Sequence, residues 1–177
     1  VGSTIWSGAV YVYVRSGTSW TQQAYLKASN AGSSDNFGFG IALSGNTLVV
    51  GARGKQAAYV FVRNGTTWTQ EAYLTPSNVK DQQAYSEGAV AIDGDTIVIG
   101  ARFEGRKQTT ISQGSAAPPD DGQAPRSGAA YVYTRSGTTW SQEAYLKAPN
   151  GDAQDEFAYS VAISGNTIAV GSYCESS

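Results

Sequence analysis

Residues 56–78 read QAAYVFVRNGTTWTQEAYLTPSN, a stretch that this chain of 177 residues repeats almost unchanged in two other places. The other copies are SGAVYVYVRSGTSWTQQAYLKASN at 7–30 and SGAAYVYTRSGTTWSQEAYLKAPN at 127–150. Each copy holds two runs rich in β-branched and aromatic residues, joined by a turn that contains Asn-Gly or Ser-Gly. Such turns need positive φ and connect antiparallel strands, so each copy predicts a β-hairpin.

A second repeated stretch lies between the hairpin stretches and fixes the length of the repeat. It reads DNFGFGIALSGNTLVVGAR at 35–53 and returns in altered form at 83–102 and 155–172. Trp20 and Trp68 are 48 residues apart, whereas Trp68 and Trp140 are 72 residues apart. The repeat is therefore about 48 residues long, and the excess is predicted to be a loop insertion at 103–126.

The alternation of side chains indicates how the strands pack. Val10, Val12 and Val14 alternate with Tyr11 and Tyr13, so both faces of this strand are apolar. A sheet that is apolar on both faces is expected to be covered on both sides. Four-stranded sheets stacked in this way, one for each repeat, are typical of β-propeller blades; a β-solenoid is the alternative.

The sequence thus predicts a single all-β repeat domain over 1–177, built from propeller-type, four-stranded antiparallel blades. Two blades are complete, and each end of the chain carries a half-blade. The predicted parts are a half-blade at 1–34, a blade at 35–82, a blade with the insertion at 83–154 and a half-blade at 155–177.

The two half-blades are complementary, because the first supplies the last two strands of a blade and the second supplies the first two. An incomplete sheet exposes backbone groups that can pair with another chain. We expect the last half-blade of one copy to complete the first half-blade of the next, as a ring or a filament. The alternative is a fragment of a longer propeller. The residues predicted for self-assembly are Val10, Tyr11, Val12, Tyr13, Ile168, Val170 and Cys174.

Composition argues against several classes of function. The net charge is −2 and only 15% of residues are charged, so no basic surface for nucleic acid or anionic lipid is expected. The absence of histidine removes the usual catalytic triads and the common zinc sites. One cysteine, Cys174, allows no internal disulfide, and no apolar run is long enough for a membrane helix. We therefore expect no enzyme activity and no membrane span.

The repeated stretch at 35–53 resembles the FG-GAP repeat of integrin-like propellers. Phe37-Gly38 matches the pair that names the motif, and Gly51-Ala52 and Gly100-Ala101 match its second half. The hairpin stretches resemble the bacterial secreted branch of that family. The resemblance implies an extracellular or cell-surface propeller that acts in adhesion or protein interaction, with other copies, a cell-surface protein or a glycan as partner.

Many members of that family carry a calcium loop rich in aspartate, and this chain departs from the pattern. The corresponding turns read LSGNTL, IDGDTI and ISGNTI, so only Asp93 and Asp95 supply carboxylates. Calcium binds six to eight oxygen atoms, which one such turn cannot supply. A second acidic group, Asp152, Asp155 and Glu156, precedes the first strand of the last half-blade. We therefore expect no cofactor, with calcium as the metal to test.

Two aromatic and cationic positions recur in every hairpin stretch. Trp20, Trp68 and Trp140 open the second strand and are expected either to pack between blades or to stack on sugars. The second reading makes the protein a lectin-like glycan binder, which is the alternative function. The arginines that precede the turn form a shoulder of the hairpin or a ring for an anionic partner: Arg15, Arg63 and Arg135.

Overall fold

The computed structural model describes residues 5–77, 85–114 and 121–175, and for residues 86–88 the backbone only. The predicted all-β class is confirmed, since the described residues form antiparallel sheets and one short 3-10 turn, Arg53–Lys55. The predicted boundary between residues 82 and 83 lies outside the described residues. The described ranges contain no helix with the length and apolar character that crossing a membrane requires.

The strands fall into four sheets. The N-terminal hairpin consists of β1 (Val10–Ser16) and β2 (Ser19–Leu26). Sheet A consists of β3 (Phe37–Ser44), β4 (Thr47–Ala52), β5 (Ala57–Asn64) and β6 (Thr67–Leu74), in that order. Sheet B contains β7 (Tyr85–Asp93), β8 (Thr96–Ala101), β9 (Ser112–Gln113), β10 (Ala129–Ser136) and β11 (Thr139–Leu146). The C-terminal hairpin consists of β12 (Phe157–Ser164) and β13 (Thr167–Ser172).

The three repeated hairpin stretches fold in the same register. Trp68 lies opposite Arg63, Trp20 opposite Arg15, and the third hairpin repeats the pairing. Each hairpin carries an irregularity at the same place, which in sheet A falls between Val60 and Phe61. Equal turns and equal register follow from nearly equal sequence, so positions can be compared directly between the hairpins.

The sheets pack side by side in chain order, and their first strands, β3, β7 and β12, contact one another in sequence. The two faces of β5 enter different cores, as its alternation predicts. Tyr59 and Phe61 pack with Val10 of the N-terminal hairpin, whereas Val60 packs with Tyr131 of sheet B. Sheet A is therefore covered on both faces.

Glycines bring neighbouring sheets together at two equivalent junctions. Gly8 forms a parallel bridge with Phe37, and Gly128 forms one with Phe157. Both glycines have φ near +80°, and a Cβ at either would lie 2.0 Å from the carbonyl oxygen of the bridged phenylalanine. Only glycine fits this approach and this backbone conformation.

The segment 103–126 was predicted as a loop insertion, and part of it is a strand. β9 pairs with β11, with Gln113 opposite Ala144 and Ser112 opposite Tyr145. The order in sheet B is accordingly β7, β8, β10, β11, β9, so β9 lies at the outer edge of the sheet. Residues 115–120 of the segment lie outside the described residues.

Candidate interaction surface

The N-terminal hairpin presents an aromatic face to solvent, which we define as Tyr11, Tyr13, Trp20 and Tyr25. These side chains are between 52% and 64% exposed. The rings of Tyr11 and Tyr25 contact each other, with centroids 5.0 Å apart. A contiguous exposed aromatic surface of this kind is typical of an interaction site.

The same positions are buried in sheets A and B. Tyr59 and Phe61, which correspond to Tyr11 and Tyr13, are 0% and 4% exposed. In sheet B, Tyr131 and Tyr133 take these positions and are equally buried. Because the hairpins share sequence and register, the exposure of the aromatic face follows from the lack of a covering sheet among the described residues rather than from different side chains.

Burial of these tyrosines also changes their acidity. Loss of hydration raises the pKa of the Tyr59 phenol to about 12, although its hydroxyl donates a hydrogen bond to Asn30 Oδ1 at 2.6 Å. Burial likewise raises the pKa of Tyr85 and Tyr133, whose hydroxyls lie 2.8 Å apart. The neutral phenol is the form that the inter-sheet core accepts.

The three predicted tryptophans occupy different environments. Trp68 is buried, and its indole N–H donates to Gln23 Oε1 in the N-terminal hairpin at 3.0 Å. Trp140 is half-buried, and its N–H donates to Glu71 Oε1 in sheet A at 2.9 Å. Two of the three rings thus pack against the preceding sheet, and only Trp20 lies on an exposed face.

Two of the repeated arginines stack on the tryptophans of their own hairpins, and the three do not form a ring. Arg63 stacks on Trp68 and donates to Asn46 Oδ1, with its closest nitrogen 2.6 Å away. Arg135 stacks on the ring of Trp140 in the same way. It donates to Asp95 Oδ1 and also lies 3.4 Å from Glu71 Oε1. Arg15, on the N-terminal hairpin, instead donates to the nearby carbonyl oxygen of Gly17.

An apolar cleft of about 290 Å³ lies beside β1, where the inner strands of a complete sheet would stand. Ile41 and Leu43 of β3 line it and are 59% and 60% exposed. Their counterparts in sheet B, Val90 and Ile92, are 8% and 9% exposed because sheet A covers them. The cleft therefore lies on a face of sheet A that no described strand covers.

The C-terminal hairpin is open on the opposite side. Ile168 and Val170 are half-buried against sheet B, while Ala162 and Ala169 face solvent on the other side of the hairpin. Cys174 follows β13 as an exposed free thiol, and its backbone N–H donates to Asp155 O at 3.2 Å. The solvent-facing side carries small side chains.

The predicted assembly strands have open edges. Among the described residues, β1 pairs only with β2, and β13 pairs only with β12. Val10 and Val12 pack on sheet A through their side chains. The groups of these strands that remain accessible are therefore the backbone N–H and C=O groups of the open edges and, on β1, the rings of Tyr11 and Tyr13.

The acidic residues considered for calcium have protein partners instead. Asp93 accepts a hydrogen bond from the Gly165 N–H at 2.7 Å, and Asp95 is bound by Arg135. Glu156 forms ion pairs with Arg102 and Arg126. The described part of the chain holds no group of three or more cysteine, aspartate or glutamate side chains arranged as metal ligands. In this structure these carboxylates are held by protein donors.

The remaining acidic candidates serve the loop before β12. Asp155 is buried, and its carboxylate accepts a hydrogen bond from the Asp152 backbone N–H at 2.6 Å. Asp35 makes the equivalent bond to Gly32 before β3. The repetition of this contact indicates a structural role in both loops.

Comparison with known families identifies the repeat. The profile described as FG-GAP repeat matches residues 20–61, 68–116 and 140–177. The three matches begin at Trp20, Trp68 and Trp140 and together cover most of the chain. A search of curated proteins found no match.

Proposed function

Because this chain belongs to the FG-GAP repeat family, we propose that it is a non-enzymatic, integrin-like repeat protein of the extracellular space or cell surface. In this proposal it acts in adhesion or structural self-assembly. The C-terminal hairpin of one copy completes the N-terminal hairpin of the next. The observation that carries the proposal is the contrast between equivalent positions, buried in sheets A and B and exposed in the N-terminal hairpin.

Sheets A and B are taken as complete blades. The C-terminal hairpin corresponds to β3–β4, and the N-terminal hairpin corresponds to β5–β6, so together they contain the four strands of one blade. In the assembled blade, Ala162 and Ala169 of one copy would cover Ile41, Leu43 and the cleft of the other. Small side chains meet large ones in the same way between sheets A and B, where Ala42 and Val49 pack near Val90.

The register of the shared blade follows from the two complete sheets. In sheet A, Thr47 lies opposite Val62 and Ala52 opposite Ala57. Transferring this pairing to equivalent positions puts Thr167 opposite Val14, and carries residues 167–172 along residues 14–9 of the second copy. Arrangement around a closed axis would give a ring, and any other rotation would give a filament.

Backbone donors on both edges are correctly directed for this pairing. The Arg63 N–H donates to Asn46 O at 2.8 Å, so the N–H groups of alternate residues on β5 point towards β4. The equivalent N–H groups on β1, including those of Tyr11 and Tyr13, point to its open edge. Further repeats on a longer chain would fill the same edges within one molecule, which is the fragment alternative.

Multi-angle light scattering across a range of concentrations, in reducing buffer to exclude a Cys174 disulfide, tests the proposal. We expect the mass of the wild type to rise with concentration. Tyr13→Pro, which removes a donor from the open edge, should hold the mass at one chain, and Tyr13→Ala should weaken assembly less. A wild type that stays at the mass of one chain overturns the proposal. Addition of a chelator should change nothing.

A lectin-like function is the second candidate, because the aromatic face is a surface on which sugars can stack. Trp20 is the residue that would carry it, since Trp68 is buried. A glycan array that shows binding lost in Trp20→Ala, with the fold retained and no change of mass with concentration, would favour this function over assembly.

A further inference from the structure

Neighbouring sheets share a polar contact that recurs at equivalent positions. The indole N–H of each buried or half-buried tryptophan donates to a side chain on the outer strand of the preceding sheet. Trp68 donates to Gln23, and Trp140 donates to Glu71. Gln23 and Glu71 are equivalent positions, and the next member of the series along the chain is Glu143.

Glu143 is exposed on β11. It stands where the strand irregularity adds a residue opposite the step from Val132 to Tyr133. Glu71 occupies the same place in sheet A and reaches towards sheet B. By this equivalence, Glu143 lies on the face of sheet B that packs against the C-terminal hairpin. That hairpin corresponds only to the first two strands of a sheet, so it carries no tryptophan for Glu143. Its natural indole partner in the series is Trp20, which no described sheet covers.

The arginine contact recurs in the same manner. Arg63 binds Asn46, and Arg135 binds Asp95, in each case across the two middle strands of a sheet. The position equivalent to Asn46 in the C-terminal hairpin is Asn166, which is exposed. The arginine left to complete this series is Arg15.

A third contact links the turns of adjacent inner strands. Ser44 accepts a hydrogen bond from the Gly94 N–H at 3.2 Å, and Asp93 accepts one from the Gly165 N–H at 2.7 Å. The next acceptor in this series is Ser164. Its donor would be the N–H of Gly45 in the β3–β4 turn of the following copy.

We propose that Trp20 and Arg15 of one copy dock on Glu143 and Asn166 of a second copy, and that this polar seam fixes which surfaces assemble and in which register. The inference rests on the assembly proposed above and names its specificity-determining residues. It also assigns a role to the outer face of β11 and to Trp20, as docking groups rather than a sugar platform.

The arrangement at Trp140 shows the chemistry of such a seam. Arg135 lies 5.1 Å from the Trp140 ring centre, and both side chains reach Glu71 Oε1. The carboxylate thus accepts from a stacked guanidinium and an indole together. With Glu143 as acceptor, the contact between copies would be of this charged type.

Sedimentation equilibrium, together with the tryptophan emission of the wild type and of Trp20→Phe, tests the seam. Glu143→Ala should weaken association about tenfold, the scale of a lost hydrogen bond to a charged group. Glu143→Gln should weaken it by less than about threefold, because an amide oxygen can still accept, as Gln23 does for Trp68. Asp152→Ala, an exposed acidic residue away from the seam, is the matched control and should change nothing.

A double-mutant cycle sharpens the test. Arg15→Ala and Glu143→Ala should be non-additive, because Arg15 should also reach Glu143 as Arg135 reaches Glu71. Association of the wild type with a blue shift of the tryptophan emission that Trp20→Phe abolishes and Glu143→Ala reduces supports the seam. Unchanged association in Glu143→Ala overturns the seam and leaves assembly standing, whereas a wild type that never associates overturns assembly itself.

Discussion

The N-terminal hairpin and the β5–β6 hairpin of sheet A are nearly the same sequence in two different environments. Tyr11 and Tyr59 hold the same position, yet the first is 56% exposed and the second is fully buried. The difference lies in the neighbours, because β5 pairs with β4 and lies beneath the N-terminal hairpin, whereas β1 has an open edge. A strand that is apolar on both faces is thus suited to packing between two sheets, and the second sheet can belong to the same chain or to another.

The largest expected effect is in matched truncations of the two tyrosines. Tyr59→Ala should lower the free energy of unfolding by about 4 kcal/mol, because it opens a cavity in the core between sheets. Tyr11→Ala should change it by less than about 0.5 kcal/mol in the monomer, as an exposed position does. Urea unfolding at a concentration where the wild type is monomeric measures both. Equal losses of unfolding free energy in the two variants would contradict the difference in burial between Tyr59 and Tyr11.

The next largest loss of stability is expected at Glu104, the ion-pair partner of one of two equivalent lysines. Lys147 donates to Ser127 and Gly128 and also to the buried Glu104 carboxylate, whereas Lys27 donates to Ser7 and Gly8 at the equivalent junction. Removing one partner of a buried ion pair leaves the other charge uncompensated, so Glu104→Ala should cost about 3 kcal/mol.

The matched control for that prediction replaces both partners. A Glu104→Met, Lys147→Met double variant should recover most of the loss, since apolar groups of similar size can fill a buried ion-pair site. Thermal or urea unfolding compares the two variants. If the double variant is as unstable as the single one, the charge of Lys147 is not the cause.

A smaller effect should appear at alkaline pH. The folded-state pKa of Tyr59 is raised to about 12, above its value of about 10 in an unfolded chain. The unfolded state therefore loses its proton first, and stability that is complete below pH 10 is lost as the pH rises towards 12. Tyr59→Phe, which cannot ionise, should lose less stability over that interval. The same dependence of stability on pH in Tyr59→Phe and the wild type would contradict this prediction.

Much of the fold follows from local pattern, and the exceptions have physical causes. The alternation of Val and Tyr and the Asn-Gly and Ser-Gly turns predict the hairpins. The predicted coverage of both faces holds for β5 but is wrong for β1, whose tyrosines are exposed. β9 could not be predicted, because Ser112 and Gln113 carry no alternation and pair only through the backbone of β11. The pairing of Glu104 with Lys147 joins residues far apart in sequence, which no periodicity reveals.

The candidate surface was predictable in part for the same reason. The repeat indicates which strands are missing a partner, so Tyr11 and Tyr13 could be named from sequence. The sequence predicted the same environment for Trp20, Trp68 and Trp140. Their burial differs because it depends on the neighbouring sheet and not on the residue. Glu143 and Asn166 could have been found by aligning the repeats on Gln23 and Asn46.

The central claim is that the open edges of β1 and β13 pair between copies, and residue-resolved hydrogen exchange by NMR tests it most directly. Compared between dilute and concentrated protein, the amides of Tyr11, Tyr13, Ile168 and Val170 should gain protection. Those of Val12 and Ala169, which point into their own hairpins, should change little. Protection that is the same at both concentrations for all six amides would contradict the account.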